Sequence, residues 1–247
     1  MLPESFFNQK VEELANALLG CELVHETAEG TTAGVIVEVE SYHQSDEASH
    51  SYKSRSPRTE VMFGPPGHAY IYFTYGMHWC FNVVAEEKGV GAGVLVRALE
   101  PTRGIELMIN RRYGTKSDYG SRGSGLSARR IFSLSNGARR TSSTGKGVTE
   151  KKNVDSADRI AEFLALPESR QAVLNLTNGP AKLVQAMGIT KADYGKPLYK
   201  GNLYITEPKL KDIKIAFGPR VGISKAKEKP WRFWIEDSLF VSGQPKR

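Results

Sequence analysis

The chain has 247 residues, 40% of them apolar and 25% charged, which is enough length and apolar content to bury a core and the balance of an ordinary globular protein. No apolar run approaches the ~20 residues that a membrane-spanning helix needs, and "MLPESFF" lacks the basic start and apolar middle of a secretory signal, so a soluble, intracellular protein is expected, not a membrane-bound or secreted one. The net charge of +7 points to a polyanionic partner and is concentrated: eleven Lys or Arg against two acids lie between Arg111 and Lys152, whereas the remainder carries 23 basic and 25 acidic residues.

In chain order, Val11, Leu14, Ala15, Leu18 and Leu19 recur at helical spacing and predict an amphipathic helix stopped by Gly20. "CELVHE" and "TAGVIVEVESY" read as strands of a hairpin turned by "AEGTT". "SYKSRSPRTEVMFGPPG" is a polar loop, followed by two β-rich runs flanking "YGM", a second hairpin with Tyr75 and Gly76 at its tip. "AGVLVRALEP" is a further strand, and "RGIELMINRR" a helix after a turn set by Pro101. From about 113 to 153 the chain is rich in Gly, Ser, Arg and Lys and is expected to be a flexible insertion. Helices return near "SADRIAEFLAL" and "NGPAKLVQAMGI", the second capped by Asn178 and ended by Gly188. The tail holds "PLYKGNLYITE", the loop "GPRVGISKAKEKP" and a terminal hairpin of "WRFWI" with "LFVSG". Sequential hairpins with interspersed helices predict an α+β fold, a mainly antiparallel curved sheet with flanking helices in one domain over 1–247.

Candidate chemistry gathers in "VIVEVESYHQSDEASHS", residues 35–51. Period two places Val35, Val37 and Val39 on one face of a strand and Glu38, Glu40 and Tyr42 on the other. A half-exposed strand would simply offer those carboxylates to water, and Glu38 fits that role. Alternatively the last glutamate, Glu40, activates a water as general base while Tyr42 and His50 wall a pocket. A metal cluster of Glu40, His43, Asp46 and His50 is weaker, because no compact ligand spacing is present, and Cys21 and Cys80 form no zinc motif and are expected as small buried hydrophobes. The pattern alone chooses neither between Glu38 and Glu40 nor between His43 and His50. In the second hairpin Tyr70 and Tyr72 share a face; Tyr70 and Phe73 need no role beyond packing, whereas Tyr75 at the tip would be exposed and could wedge into a base stack. Asn82 and Arg97 interrupt apolar runs and need partners if buried, a structural glutamate or Glu40 in the case of Arg97.

Taken together, "VEVESYHQSDEASHS", "MFGPPGHAYIYFTYGMHWCFNVV", "GVLVRALEP", "LTNGPAKLVQAMGI" and "PRVGI" followed by "WRFWI" resemble the alkyladenine (3-methyladenine) DNA glycosylase family from about Phe6 to Val241. The resemblance implies a monofunctional base-excision repair enzyme that flips alkylated purines, with hypoxanthine a further candidate, out of double-stranded DNA and hydrolyses the N-glycosidic bond. On it, Glu40 matches the general base, Arg97 the arginine that holds it, and Tyr42, His50, Tyr72 and Asn82 the base pocket. Tyr75 matches the intercalating tyrosine, and Arg220 in "PRVGI" is a candidate contact to the DNA backbone. No metal or redox cofactor and no second subunit is implied; the place of action would be the cytoplasm or nucleoid of a prokaryote, or a eukaryotic nucleus or organelle. Rival expectations are a non-catalytic lesion-binding protein and a metal-dependent hydrolase. The basic insertion is longer than expected for the family and takes nothing from the resemblance; it is either a solvated loop or a DNA tether.

Overall fold

The computed structural model describes residues 1–53, 55–74, 76–114, 156–165 and 167–243. Tyr75, and the basic insertion from residue 115 onward, lie outside the described residues. The first predicted helix is α1 (Val11–Leu18), with Val11, Leu14, Ala15 and Leu18 all buried. Gly20, at φ +85°, reverses the chain and gives its N–H to the Ile36 carbonyl. The first hairpin follows as β1 (Cys21–Thr27) and β2 (Gly30–His43), with a tighter turn than "AEGTT" suggested.

The second hairpin is β3 (Ala69–Thr74) with β4 (His78–Val84), registered from Ala69 opposite Val83 to Thr74 opposite His78. Gly76 lies at its tip with φ +67°, a conformation L side chains seldom adopt. Strand β5 (Ala92–Arg103) runs past Pro101, which therefore does not set the turn into α2 (Ile105–Tyr113); Gly104 does, in the left-handed region. Pro101 is tolerated because β4 pairs only with the Gly93–Leu95 part of β5, so no ladder partner on that side needs its missing N–H.

Helices α3 (Ser156–Ala165), α4 (Pro167–Leu174) and α5 (Pro180–Met187) follow; α4 was not foreseen. The N-cap of α5 is Gly179 with Pro180 in the first turn, while the expected cap Asn178 accepts a bond from the Lys182 ammonium instead; Gly188 ends the helix in the left-handed region as expected. The tail adds β6 (Leu203–Pro208), β7 (Ile215–Gly218) and β8 (Arg232–Ile235). The terminal hairpin is not "WRFWI" with "LFVSG": β8 pairs with β7 and with β2, and the segment after it folds back so that the Ser242 N–H reaches Glu38.

The result is the expected α+β architecture, one open antiparallel sheet in the order β3-β4-β5-β2-β1-β6 with the β8–β7 pair branching from the second half of β2. Its core joins α1, the sheet and α2 to α5 through residues such as Leu14, Val37, Phe81, Leu99, Met108, Phe163 and Leu183. β2 is the spine. Its ladder with β5 slips three times, between Ala33 and Gly34 and on either side of Glu38: there Ile36 faces Leu99, Glu38 faces Ala98 and Val39 faces Val96, leaving Val37 and Arg97 as extra residues on opposite strands. The two slips around Glu38 cancel in register but re-aim the side chains between them. Both faces of β2 are consequently covered, and Glu38, expected to meet water, is completely buried. Among the described residues no helix is long and apolar enough to cross a membrane.

Candidate active site

A cavity of about 700 Å³ opens at the end of the sheet where β2, β3, β4 and β5 meet α5 and the loop after β7. Tyr42 enters from β2, Tyr70 and Tyr72 from β3, Cys80 and Asn82 from β4, Leu95 and Arg97 from β5, Gly179 to Lys182 from α5, and Val221 to Lys225 from the loop. The alternation of β3 divides its side chains as the sequence predicts: Tyr70 and Tyr72 line the cavity, Ile71 joins the core and Phe73 is exposed against Trp79.

Immediately behind the cavity wall lies Glu40, fully buried. Its Oε1 accepts the Val221 N–H at 2.7 Å and faces Arg97 Nη1 at 3.1 Å, and its Oε2 accepts the Tyr42 hydroxyl at 2.8 Å. Burial alone would lower the Arg97 pKa, but the carboxylates of Glu40 and Glu38 outweigh it and raise it, so the guanidinium stays charged. Burial first, and then Glu40, push the Tyr42 pKa upward, which keeps its phenol a donor.

The other wall is aromatic. His50 stands edge-on to Tyr72 with ring centroids 4.5 Å apart, and its Nδ1 is 3.0 Å from the Tyr70 hydroxyl. Its outer edge reaches solvent, yet the enclosing protein, and then the Arg58 guanidinium, lower its pKa to about 4. It is a neutral imidazole at neutral pH. Burial raises the Tyr72 phenol and the Cys80 thiol, so those groups are neutral too. Asn82 donates to the Tyr70 carbonyl at 3.0 Å, fixing its side chain across the β3–β4 pair.

The structure therefore brings six of the expected residues, Glu40, Arg97, Tyr42, His50, Tyr72 and Asn82, to one place. Arg220 is a correction. Rather than facing a DNA backbone, it is fully buried: its Nη1 binds the Asp46 carboxylate and the Ser41 carbonyl, and its guanidinium lies over the rings of Tyr42 at 4.6 Å and Trp231 at 5.2 Å. Asp46, considered above only as a candidate metal ligand, is its buried counter-ion. The four candidates for a metal cluster go to separate partners: Glu40 to Arg97, Asp46 to Arg220, His43 to Ser45 and Glu86, and His50 to Tyr70. Sequence reasoning missed the Val221 N–H and the Tyr70 hydroxyl. A backbone donor leaves no mark in composition, and Tyr70 reads as packing until its register opposite Asn82 is known.

Comparison with known proteins supplies the class. The family model for methylpurine-DNA glycosylase matches residues 5–137 and 152–239. The chain belongs to this family and is a DNA glycosylase, an enzyme that acts on DNA. Among its relatives, proteins provisionally named as 3-methyladenine DNA glycosylases are 38% identical in Rhodopseudomonas palustris, over 98% of this chain and 88% of the relative, and 38% identical in Methanoculleus marisnigri, over 98% of both. A third from Desulfitobacterium hafniense is 35% identical over 98% of both chains. The family match passes through the first part of the basic insertion and breaks only over 138–151.

Proposed function

We propose that the protein removes alkylated purines, 3-methyladenine and related bases, from duplex DNA by hydrolysis, with Glu40 as the general base. The observation that carries this reading is the bonding of the Glu40 carboxylate. A carboxylate offers roughly four lone-pair sites. The Val221 N–H and the Tyr42 hydroxyl take one on each oxygen here and Arg97 faces Oε1 as an ion pair, leaving a site on Oε2 for a water between Glu40 and the cavity. While still ionised, the carboxylate stabilises the positive charge that develops on the sugar as the base leaves; it then takes the proton of the water that attacks C1′ of the flipped nucleotide, and Glu40 ends neutral.

The flipped base lies among Tyr42, His50 and Tyr72, beside Asn82, which crowds the exocyclic amine of guanine. A cationic alkylated base gains about 0.5–2 kcal/mol on an aromatic face. Arg220 already occupies one face of Tyr42, so the cavity-facing side is the one left for the base. A neutral base such as hypoxanthine must be helped to leave. His50, neutral at neutral pH, is a poor general acid for that step, so hypoxanthine is expected to be excised more slowly than cationic bases. Tyr75, between Thr74 and Gly76 at the hairpin tip, fills the gap left by the extruded nucleotide; Met77 beside it is 61% exposed and extends the wedge.

Water is the nucleophile in this scheme, so the product is an intact strand with an abasic site, and one chain supplies the whole site, so the unit of action is a monomer. The test is to incubate the protein with methylated DNA and with inosine-containing duplex, identify the released bases and look for strand breaks. Release of 3-methyladenine without breaks is expected. Glu40→Gln should bind lesion DNA and release nothing; base release by that variant at a rate near the unaltered protein overturns Glu40 as the base.

A further inference from the structure

We infer that Glu38, the glutamate dismissed by the strand pattern, is a positioning residue that sets how Arg97 meets Glu40; the inference rests on the reading of Glu40 as the base. Glu38 is fully buried, and its carboxylate accepts four hydrogen bonds from Arg97, Arg232 and Ser242. Oε1 accepts from Arg97 Nε at 2.8 Å, Arg232 Nε at 2.7 Å and the Ser242 hydroxyl at 2.7 Å; Oε2 accepts the Ser242 N–H at 2.6 Å. Arg97 is correspondingly divided. Its Nε goes to Glu38, its Nη2 to the Ser242 hydroxyl at 3.2 Å, and its Nη1 alone to Glu40 at 3.1 Å.

That division matters because a guanidinium is a rigid planar fork that prefers to grip one carboxylate with two parallel N–H bonds. Were Glu38 and Ser242 absent, Arg97 could swing to hold both oxygens of Glu40, including the Oε2 lone pair proposed for water. With them present, two of its three nitrogens are anchored away from Glu40, and only Nη1 faces Oε1, in ion-pair contact. The pair of slips around Glu38 makes this possible: Arg97 is the extra residue on β5 there, beside Glu38 and one step from Glu40. The balance of charge agrees. Glu38 and Glu40 face Arg97 from β5 and Arg232 from β8, two anions to two cations, with Tyr42 on their own strand, Cys80 on β4 and Arg220 behind Tyr42 as the other titratable neighbours. A carboxylate needed only for stability would be a poor choice at this depth, since buried ion pairs seldom outperform well-packed apolar residues.

The experiment compares Glu38→Gln, Ser242→Ala, Arg97→Gln and the double variant Glu38→Gln/Arg97→Gln with the unaltered protein and Glu40→Gln. Single-turnover release of 3-methyladenine and affinity for lesion DNA are measured separately. Glu38→Gln should slow base release about 100-fold, the scale of a misplaced reacting group, while affinity changes by less than about threefold. It should have no further effect in the Arg97→Gln background, because it acts through Arg97. If Glu38→Gln does not fold, Ser242→Ala keeps both charges and should slow release about fivefold, the rate equivalent of one hydrogen bond. A folded Glu38→Gln protein, or failing that Ser242→Ala, that releases base at the unaltered rate overturns the inference, as does an equal slowing with and without Arg97. If Glu40→Gln is itself active, the reading of Glu40 falls and takes this inference with it; if Glu40→Gln is inactive while Glu38→Gln is not slowed, this inference alone fails.

Discussion

The guanidinium of Arg220 lies 4.6 Å from the ring centroid of Tyr42, with its side chain fully buried. Asp46 balances its charge, and Trp231 covers it at 5.2 Å, so four residues from two distant stretches of the sequence form one cluster around a buried ion pair. Removing one partner of a buried ion pair costs about 3–5 kcal/mol because the other charge is left stranded. Asp46→Asn is therefore expected to lower the melting temperature by roughly 6–20 °C for a chain of this size. The same geometry separates two roles for Arg220. An arginine on the DNA backbone would steepen the salt dependence of binding by about one unit; Arg220→Met should lose stability and leave that slope unchanged in binding measured across a salt series.

The pH dependence of stability follows from His50. Its pKa in the fold, about 4, lies below the ordinary 6.5, so the unfolded chain takes up the proton first. The sign is then fixed: the contribution is fully present above pH 6.5 and is lost as pH falls from 6.5 through 4. His50→Gln should flatten the fall in melting temperature over that window. Burial is the larger cause of the shift and Arg58 the second, so Arg58→Gln should raise the His50 pKa only partway toward 6.5, which an NMR titration of the imidazole reads directly. An unmoved midpoint would remove Arg58 from the account.

Much of this arrangement is legible in the chain, and the illegible part has one physical origin. Alternation on β3 is a local property, and it assigned Tyr70 and Tyr72 to one face and Phe73 to the other. Helical spacing likewise found α1 and α2, and Gly188 marked the end of α5. Burial of a strand depends on what lies across it. The pattern of β2 placed Glu38 in water because nothing in residues 35–42 announces that β8 and Ser242 will close over it. The same applies to Asp46 and Arg220, which are 174 positions apart. The bulges at Val37 and Arg97 break the period on which the face assignment rested.

Tyr42 carries two separable functions, and one atom distinguishes them. Its ring lines the cavity, and its hydroxyl donates to Glu40 Oε2 at 2.8 Å. Tyr42→Phe keeps the ring and deletes a hydrogen bond to a charged group, worth about 1.5–3 kcal/mol. Single-turnover base release should fall by about tenfold to 100-fold, while affinity for lesion DNA stays within a factor of about two. Tyr42→Leu should weaken affinity as well. A Tyr42→Phe protein with an unaltered rate would mean that Arg97 and Val221 suffice to hold the carboxylate.

The basic insertion tests whether affinity and chemistry are carried by different parts of the chain. Arg139, Arg140, Lys146 and Lys151 fall within 138–151, the stretch that the family match omits. The Arg111 to Lys152 segment carries +9 against +7 for the whole protein, so without it the remaining chain would be repelled by DNA or indifferent to it at long range. Each cation that neutralises a phosphate releases counterions and adds about 0.9 to the slope of log affinity against log salt. Changing these four residues to glutamine should flatten that slope by as much as about 3.6 units if all four reach phosphate. Base release at saturating enzyme should be unaltered, because Glu40, Arg97 and the aromatic wall come from β2, β3 and β5 and from the loop holding His50. Four lysines changed elsewhere, at Lys209, Lys211, Lys214 and Lys227, serve as the control for bulk charge. An equal loss of slope in that control would mean that total charge draws the protein to DNA, and an unaltered slope in the insertion variant would leave the insertion no part in binding.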